Sequence, residues 1–216
     1  MIIRLLAAAL LATSTATPNP PWQGLPVRTT TSSGVAGDPV NVAFEGSRAS
    51  ILAAFSRAGW LQADPLSLKN DIRLAEAALD GHPYPKAPVS NLYLFDRAED
   101  FAVEHEIGSV AKRDHARFWY TGRTDPATHL DLWIGDASRD DGIKVLRKHG
   151  LPVGTTHHID PDLDTERGRI VQLIRATGMV STVIMEPGMG ATRNAKNGGG
   201  DPFSTDGKVS LIVLKN

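Results

Sequence analysis

Apolar residues recur at helical spacing in three segments of the chain, and each segment follows a residue that can cap a helix. In the first segment, Ile51, Leu52, Phe55 and Ala58 lie on one face, and Gly59 ends the run. The three predicted helices begin after the N-cap candidates Ser47, Ser67 and Asp160 and continue to Gly59, residue 79 and Gly178.

The remaining apolar runs are short and predict strands. Leu130, Leu132 and Ile134 alternate with Asp131 and Trp133, which is typical of a sheet with two unlike faces. The predicted strands are Val40–Phe44, Val89–Phe95, Phe101–Ile107, Ala116–Tyr120, Leu130–Ala137, Ile143–Leu146, Thr155–Ile159, Ser181–Met185 and Lys208–Leu214. Strands and helices do not alternate regularly along the chain. This order predicts a single α+β domain with a mixed or mainly antiparallel sheet and about three helices.

The first residues have the pattern of a secretory signal peptide. Arg4 precedes an apolar run over 5–12, small residues follow, and prolines begin at Pro18. We expect cleavage after Ala16, which would leave a periplasmic or secreted protein with no transmembrane segment in the mature chain. Pro, Thr, Ser and Gly dominate 17–37 and predict a linker, so the predicted divisions are signal peptide 1–16, linker 17–37 and domain 38–216.

The composition argues against one class of partner and excludes several kinds of catalytic and metal site. The chain has 23 Lys plus Arg against 24 Asp plus Glu, a formal charge of −1, which argues against a nucleic-acid partner bound through a broad basic face. It has no Cys, which excludes disulfides, thiolate nucleophiles and Cys-ligated metals. It also lacks a G-x-S-x-G nucleophile elbow and a phosphate-binding P-loop.

Two short motifs combine imidazole, carboxylate and guanidinium groups. One lies over 157–167 and includes His158, Asp160, Asp164 and Arg167, and the other is His115-Ala116-Arg117. Together they indicate an acid/base or metal site for an anionic substrate. The candidate catalytic residues are His115, Arg117, His158, Asp160, Asp164 and Arg167, and the candidate ligands for a divalent metal are His115, His158 and Asp160.

An architectural interpretation of the same motif also fits. Asp160 is a good helix N-cap, acidic residues are common in a first helical turn, and Arg167 can pair with Asp164 or Glu166. In this interpretation the charged residues cap one helix and fix it to the sheet, without any ligand.

The chain also resembles the domain named after the C-terminus of LssY, described as a type I secretion component. The resemblance rests on several motifs, of which the run His157-His158-Ile159-Asp160-Pro161 is the most specific. The others are Asp38-Pro39-Val40-Asn41, Ala58-Gly59-Trp60, Tyr93-Leu94-Phe95, His115-Ala116-Arg117-Phe118-Trp119, Leu132-Trp133-Ile134-Gly135 and Thr205-Asp206-Gly207.

The resemblance implies no established activity. Larger relatives carry membrane-embedded phosphatase or DedA-like domains. This chain lacks the Pro-Ser-Gly-His motif of that phosphatase, so the resemblance does not imply lipid phosphatase activity for it. The family pattern has two His before the Arg-Phe-Trp strand, and here the first of those positions is Asp114. We expect either a hydrolase acting on an anionic or phosphorylated envelope substrate, or a non-catalytic envelope module that binds a membrane protein partner.

Overall fold

The computed structural model describes residues 19–64, 89–109, 112–148 and 151–215, with backbone alone at 108–109, 143–148 and 151–157. Two α-helices lie in this part of the chain: α1 (Arg48–Arg57) and α2 (Leu163–Ala176). The first six strands are β1 (Arg28–Thr30), β2 (Ala36–Pro39), β3 (Val42–Glu45), β4 (Leu61–Gln62), β5 (Tyr93–Leu94) and β6 (Arg97–Ala98). The others are β7 (Phe101–Ser109), β8 (Lys112–Thr124), β9 (Asp131–Lys148), β10 (Leu151–Ile159), β11 (Val180–Pro187), β12 (Thr192–Lys196), β13 (Pro202–Thr205) and β14 (Lys208–Leu214).

The main sheet has the strand order β11-β14-β3-β9-β8-β7-β4. Its strand pairs are antiparallel except for β3 and β14, which run parallel. The long strand β9 pairs with β8 along one edge, and its other edge is shared by β3 near its start and β10 near its end. Two smaller sheets, β2-β1-β5-β6 and β12-β13, complete the fold.

One face of the main sheet carries the two helices. Ile51, Ala54 and Phe55 of α1 and Ile170 and Ile174 of α2 are buried in this layer. They pack against alternate residues of the strands, which is why the strand sequences alternate in hydrophobicity. The sheet residues of this core are Val42, Phe44, Phe101, Val103, Ala116, Phe118, Trp133, Ala137, Ile212 and Leu214.

The opposite face of the sheet is covered by the N-terminal arm, residues 19–40. The sequence predicts a linker over 17–37, but in the structure the arm contains β1 and β2 and buries Trp22 to 2% exposure. The indole Nε1 donates to the carbonyl of Pro187, 2.9 Å away. A single large aromatic residue therefore anchors a segment whose average composition resembles that of a linker.

The α+β class and the mainly antiparallel mixed sheet are confirmed. The predicted helices near Ser47 and after Asp160 are present, while the one predicted over 68–79 lies outside the described residues, as does the predicted signal peptide. No helix in the described part of the chain is long and apolar enough to cross a membrane.

Several strand boundaries differ from the sequence-based prediction. Ile143–Leu146 is the continuation of β9 rather than a separate strand, and the glycine-rich segment 188–200, for which the sequence predicts no strand, contains β12. Asp206-Gly207 joins β13 to β14 but does not form a hairpin between them, because β13 pairs with β12. Turn-forming residues fix a local reversal of the chain, whereas strand pairing depends on distant segments.

Candidate functional site

A stripe of basic residues on β8 faces a stripe of acidic and hydroxyl residues on β9. Arg113, His115 and Arg117 lie two residues apart, so they project from the same face of the sheet as the buried Trp119. The antiparallel register places them opposite Asp140, Ser138 and Asp136, respectively. Because the pairs lie directly across the strands, each basic group meets a complementary partner.

The two arginines are engaged in buried ion pairs. Arg113 donates to Asp140 at 3.0 Å and to Glu104, on β7, at 2.9 Å. Arg117 donates through Nη1 to Asp136 at 2.7 Å. Burial raises the pKa of Glu104 to about 8, against the favourable charge of Arg113. Each of the two guanidinium groups therefore has an acidic partner on a neighbouring strand of the sheet.

His115 lies between a hydroxyl and a carboxylate. Its Nε2 shares a 3.0 Å hydrogen bond with the Ser138 hydroxyl, and its Nδ1 lies 3.7 Å from Asp140 Oδ1. All three side chains are buried. Since Ser138 is fully buried beneath the site, its hydroxyl orients the imidazole rather than acting as a nucleophile.

A pocket of about 300 Å³ opens above this stripe. The sheet supplies its floor, and its walls come from the arm, the segment 89–92 and the turn between β12 and β13. Gly198 in this turn packs so tightly on the arm that an added Cβ would collide with Thr31. The charged lining residues are Asp38, Arg113, His115, Arg117, Asp140 and Asp201.

Asp38, on β2, is the carboxylic acid of this pocket that the protein leaves least satisfied. Its side chain is buried, and its Oδ1 accepts no hydrogen bond from the described residues. Burial raises the pKa of Asp38, and the nearby charge of Asp140 raises it further. The charge of Arg117 and a hydrogen bond from Asn197 lower the pKa, but by less than burial and Asp140 raise it. A raised pKa suits a carboxyl group to donate a proton to a ligand.

His158 does not line the pocket, but it contacts a residue that does. Its Nδ1 is 2.9 Å from Oδ1 of Asp201, which is buried and lines the pocket, whereas His158 itself is about half exposed. The pocket therefore gathers His115 and Arg117, and His158 joins it through Asp201.

Asp160, Asp164 and Arg167, which the sequence also predicts as catalytic, do not line this pocket and contact other parts of the chain. Asp160 Oδ1 accepts from the Asp162 amide at 2.9 Å, and Asp164 accepts from the Asp206 amide at 2.7 Å. Arg167 forms a two-point contact with Asp206, at 2.7 and 3.1 Å, so its guanidinium is not available as a clamp for an anion.

The predicted N-cap of the second described helix is also corrected. Asp162, not Asp160, caps α2, accepting from the amides of Asp164 and Thr165 at 3.1 and 3.2 Å. From Asp160 onward, the hydrogen bonds of the most specific sequence motif agree with the architectural interpretation of the sequence.

The predicted metal site is not assembled. Among the residues that the structure describes, no group of three or more His, Asp or Glu side chains could hold a metal ion. The predicted ligands His115, His158 and Asp160 are all among the described residues. Asp160 accepts a hydrogen bond from the Asp162 amide in the turn before α2.

Sequence reasoning found two of the six charged lining residues of the pocket, His115 and Arg117. Asp136, Ser138 and Asp140 recur at every second position of β9, the same spacing that groups His115 with Arg117, and this periodicity could have revealed them. Asp38 and Asp201 carry no comparable signal, because each comes from a separate short segment near the pocket.

The fold and site define a class: an α+β domain with a buried polar pocket on one face of a mainly antiparallel sheet. The chain belongs to the LssY C-terminus family, whose model matches residues 22–209. The match confirms the resemblance drawn from the motifs and begins at Trp22, the aromatic anchor of the arm. No curated protein and no solved structure matches the chain.

Proposed function

We propose that this protein is a hydrolase that uses Asp38 as general acid and Asp140 as general base. The carrying observation is the buried Asp38 carboxyl, whose Oδ1 is unpartnered among the described residues, in the same pocket as a second carboxylate held by Arg113. Two carboxyl groups in unlike environments are the arrangement that acid/base hydrolysis requires.

In this proposal Asp38 gives its proton to the leaving-group oxygen while Asp140 takes a proton from the attacking water. The scissile bond breaks as the water oxygen bonds to the substrate, and the two carboxyl groups exchange protonation states. His115, fixed by Ser138, and Arg113 position Asp140.

The charges of the pocket support a neutral, hydroxyl-rich substrate rather than a phosphorylated one. Its described lining carries two carboxylates, Asp140 and Asp201, beside the protonated Asp38 of this proposal, and its two guanidinium groups are already ion-paired. A phosphate would meet like charges, whereas carboxylate and amide oxygens can bind sugar or polyol hydroxyls. Export to the envelope, predicted by the signal-peptide pattern, is part of this proposal.

The test is a panel of alkyl glycosides, alkyl esters and alkyl phosphates, whose poor leaving groups need a proton from a general acid, offered to the purified chain and to two matched variants. We expect turnover of a neutral substrate that is lost in Asp38→Asn and kept in Asp160→Asn, which lies in the turn before α2. The wild-type rate should fall as the pH rises through the raised pKa of Asp38, because the general acid is then deprotonated.

Full turnover in Asp38→Asn would refute the assignment of the general acid. If no class of substrate is cleaved while a neutral sugar binds and protects the chain from unfolding, the hydrolase proposal fails. The alternative, a non-catalytic envelope binding module, then takes its place.

A further inference from the structure

The end strand β11 presents an open edge of the main sheet. β11 pairs with β14 on one side, and no described strand pairs with its other side, while the carbonyl of Pro187 at its end accepts a hydrogen bond from Trp22. It is eight residues long, whereas β4, at the opposite end of the sheet, has only two. A long terminal strand leaves a row of backbone donors and acceptors available to another strand.

The side chains of β11 protect this edge only at its end, where Glu186 and Pro187 follow uncharged residues. Residues 180–185 include no charged side chain, and Glu186 is the only ionisable group of the strand. Ile184 and Met185 are 42% and 49% exposed, and they belong to opposite faces of the sheet. Soluble proteins usually place lysine, proline or a bulge along such an edge, and here the irregularity of the pairing with β14 is confined to 180–182.

The sequence of the regular part of β11 is complementary to itself. In an antiparallel pair centred on Ile184, Val183 of one copy lies opposite Met185 of the other, and Thr182 lies opposite Glu186. Apolar residues then meet apolar residues, and the carboxylate of Glu186 meets a hydroxyl rather than a second carboxylate.

We propose that β11 is a homodimer interface, in which the edge strands of two copies of this chain pair antiparallel around Ile184 and join their main sheets. A two-fold axis normal to the sheet keeps each face of one copy continuous with the same face of the other. The pairing satisfies the free backbone groups of the edge and covers Ile184 and Met185.

The test combines sedimentation of the purified chain with single-cysteine cross-linking. The wild type should sediment as a dimer, and Ile184→Lys, which sets two ammonium groups against each other, should be monomeric with an unchanged circular dichroism spectrum. Leu61→Lys is the matched control, because Leu61 is 38% exposed at the other edge and its substitution should leave the dimer intact.

Because the chain has no Cys, an introduced thiol can form a disulfide only between copies. Ile184→Cys should cross-link on oxidation, since directly opposed residues have Cβ atoms about 4.5–5.5 Å apart. Thr182→Cys and Glu186→Cys should cross-link when mixed and not separately, whereas Val35→Cys, on the arm, should remain a monomer on denaturing gels.

A wild-type chain that sediments as a monomer would overturn the proposal, as would a dimer that persists in Ile184→Lys. Cross-linking of Val35→Cys at the rate of Ile184→Cys would show random collision and would also refute it.

Discussion

Glu166 occupies a position where a carboxyl group is forced to keep its proton. It lies on α2 with its side chain buried against Asp114 of β8, while Arg139 bridges the two carboxyl groups at 2.6 and 3.3 Å. Arg169 pairs with Asp114 from the helix side, at 3.3 Å. Burial, with the nearby charge of Asp114, raises the pKa of Glu166 to about 9.

This raised pKa makes stability depend on pH. Above its ordinary value of 4.5, Glu166 is ionised in the unfolded chain but protonated in the folded protein until about pH 9, so the free energy of unfolding falls as the pH rises through that range. Glu166→Gln should reduce this slope, which denaturant unfolding at several pH values will measure.

The slope should become smaller rather than vanish, because burial also raises the pKa of Glu104, to about 8. Glu106→Gln provides a like substitution on β7 whose side chain is not fully buried. An unchanged slope in Glu166→Gln would show that Glu166 is ionised in the folded protein.

At the scale of elements, the charged motif before α2 is a joint between the helix and the sheet. Asp162 caps the helix, while Asp164 and Arg167 hold the turn that leads into β14 through Asp206. The hydrogen bonds from Arg167 lower the pKa of Asp206, so this joint favours the charged carboxylate.

Asp162→Ala should cost about 0.5–2 kcal/mol of stability, because two helix amides lose their acceptor. Urea unfolding will measure the loss, and the proposed hydrolysis should be unchanged under conditions where the variant is folded. Asp141→Ala is the control, since within the described residues Asp141 forms an exposed pair with Lys112, whose loss should have little effect. Equal stability of the two variants would refute the capping function.

The elements were predictable where the signal is local. Periodicity located most strands, and Ser47 caps α1 as predicted. The pocket was less predictable because it depends on the register of β8 against β9 and on segments far apart in sequence, such as Asp38 and Asp201. The local density of charged residues instead predicts a site at Asp164 and Arg167. In the structure Asp164 accepts from the Asp206 amide, and Arg167 pairs with the Asp206 carboxylate.

At the scale of the whole molecule, the arm is a structural layer and not a tether. It covers the apolar residues on the face of the main sheet opposite the helices, and it supplies Asp38 to the pocket. Trp22→Ala should destabilise the protein by about 3–5 kcal/mol, because a fully buried aromatic side chain is removed from a packed site.

Thermal or urea unfolding will measure this loss. Val35→Ala is the matched control on the same arm, since Val35 is 52% exposed and its truncation should cost much less. If Trp22→Ala is as stable as Val35→Ala, the arm behaves as the linker that its composition predicts.

Strand β8 separates two networks that never share a residue. Arg113 and His115 face the pocket, while Asp114 between them faces α2 and its buried Glu166. Inserting or deleting one residue here would exchange the two sets, sending arginine toward the helices and aspartate toward the pocket. Single residues of β8 can therefore be substituted without exchanging the two faces, whereas a one-residue insertion or deletion exchanges them.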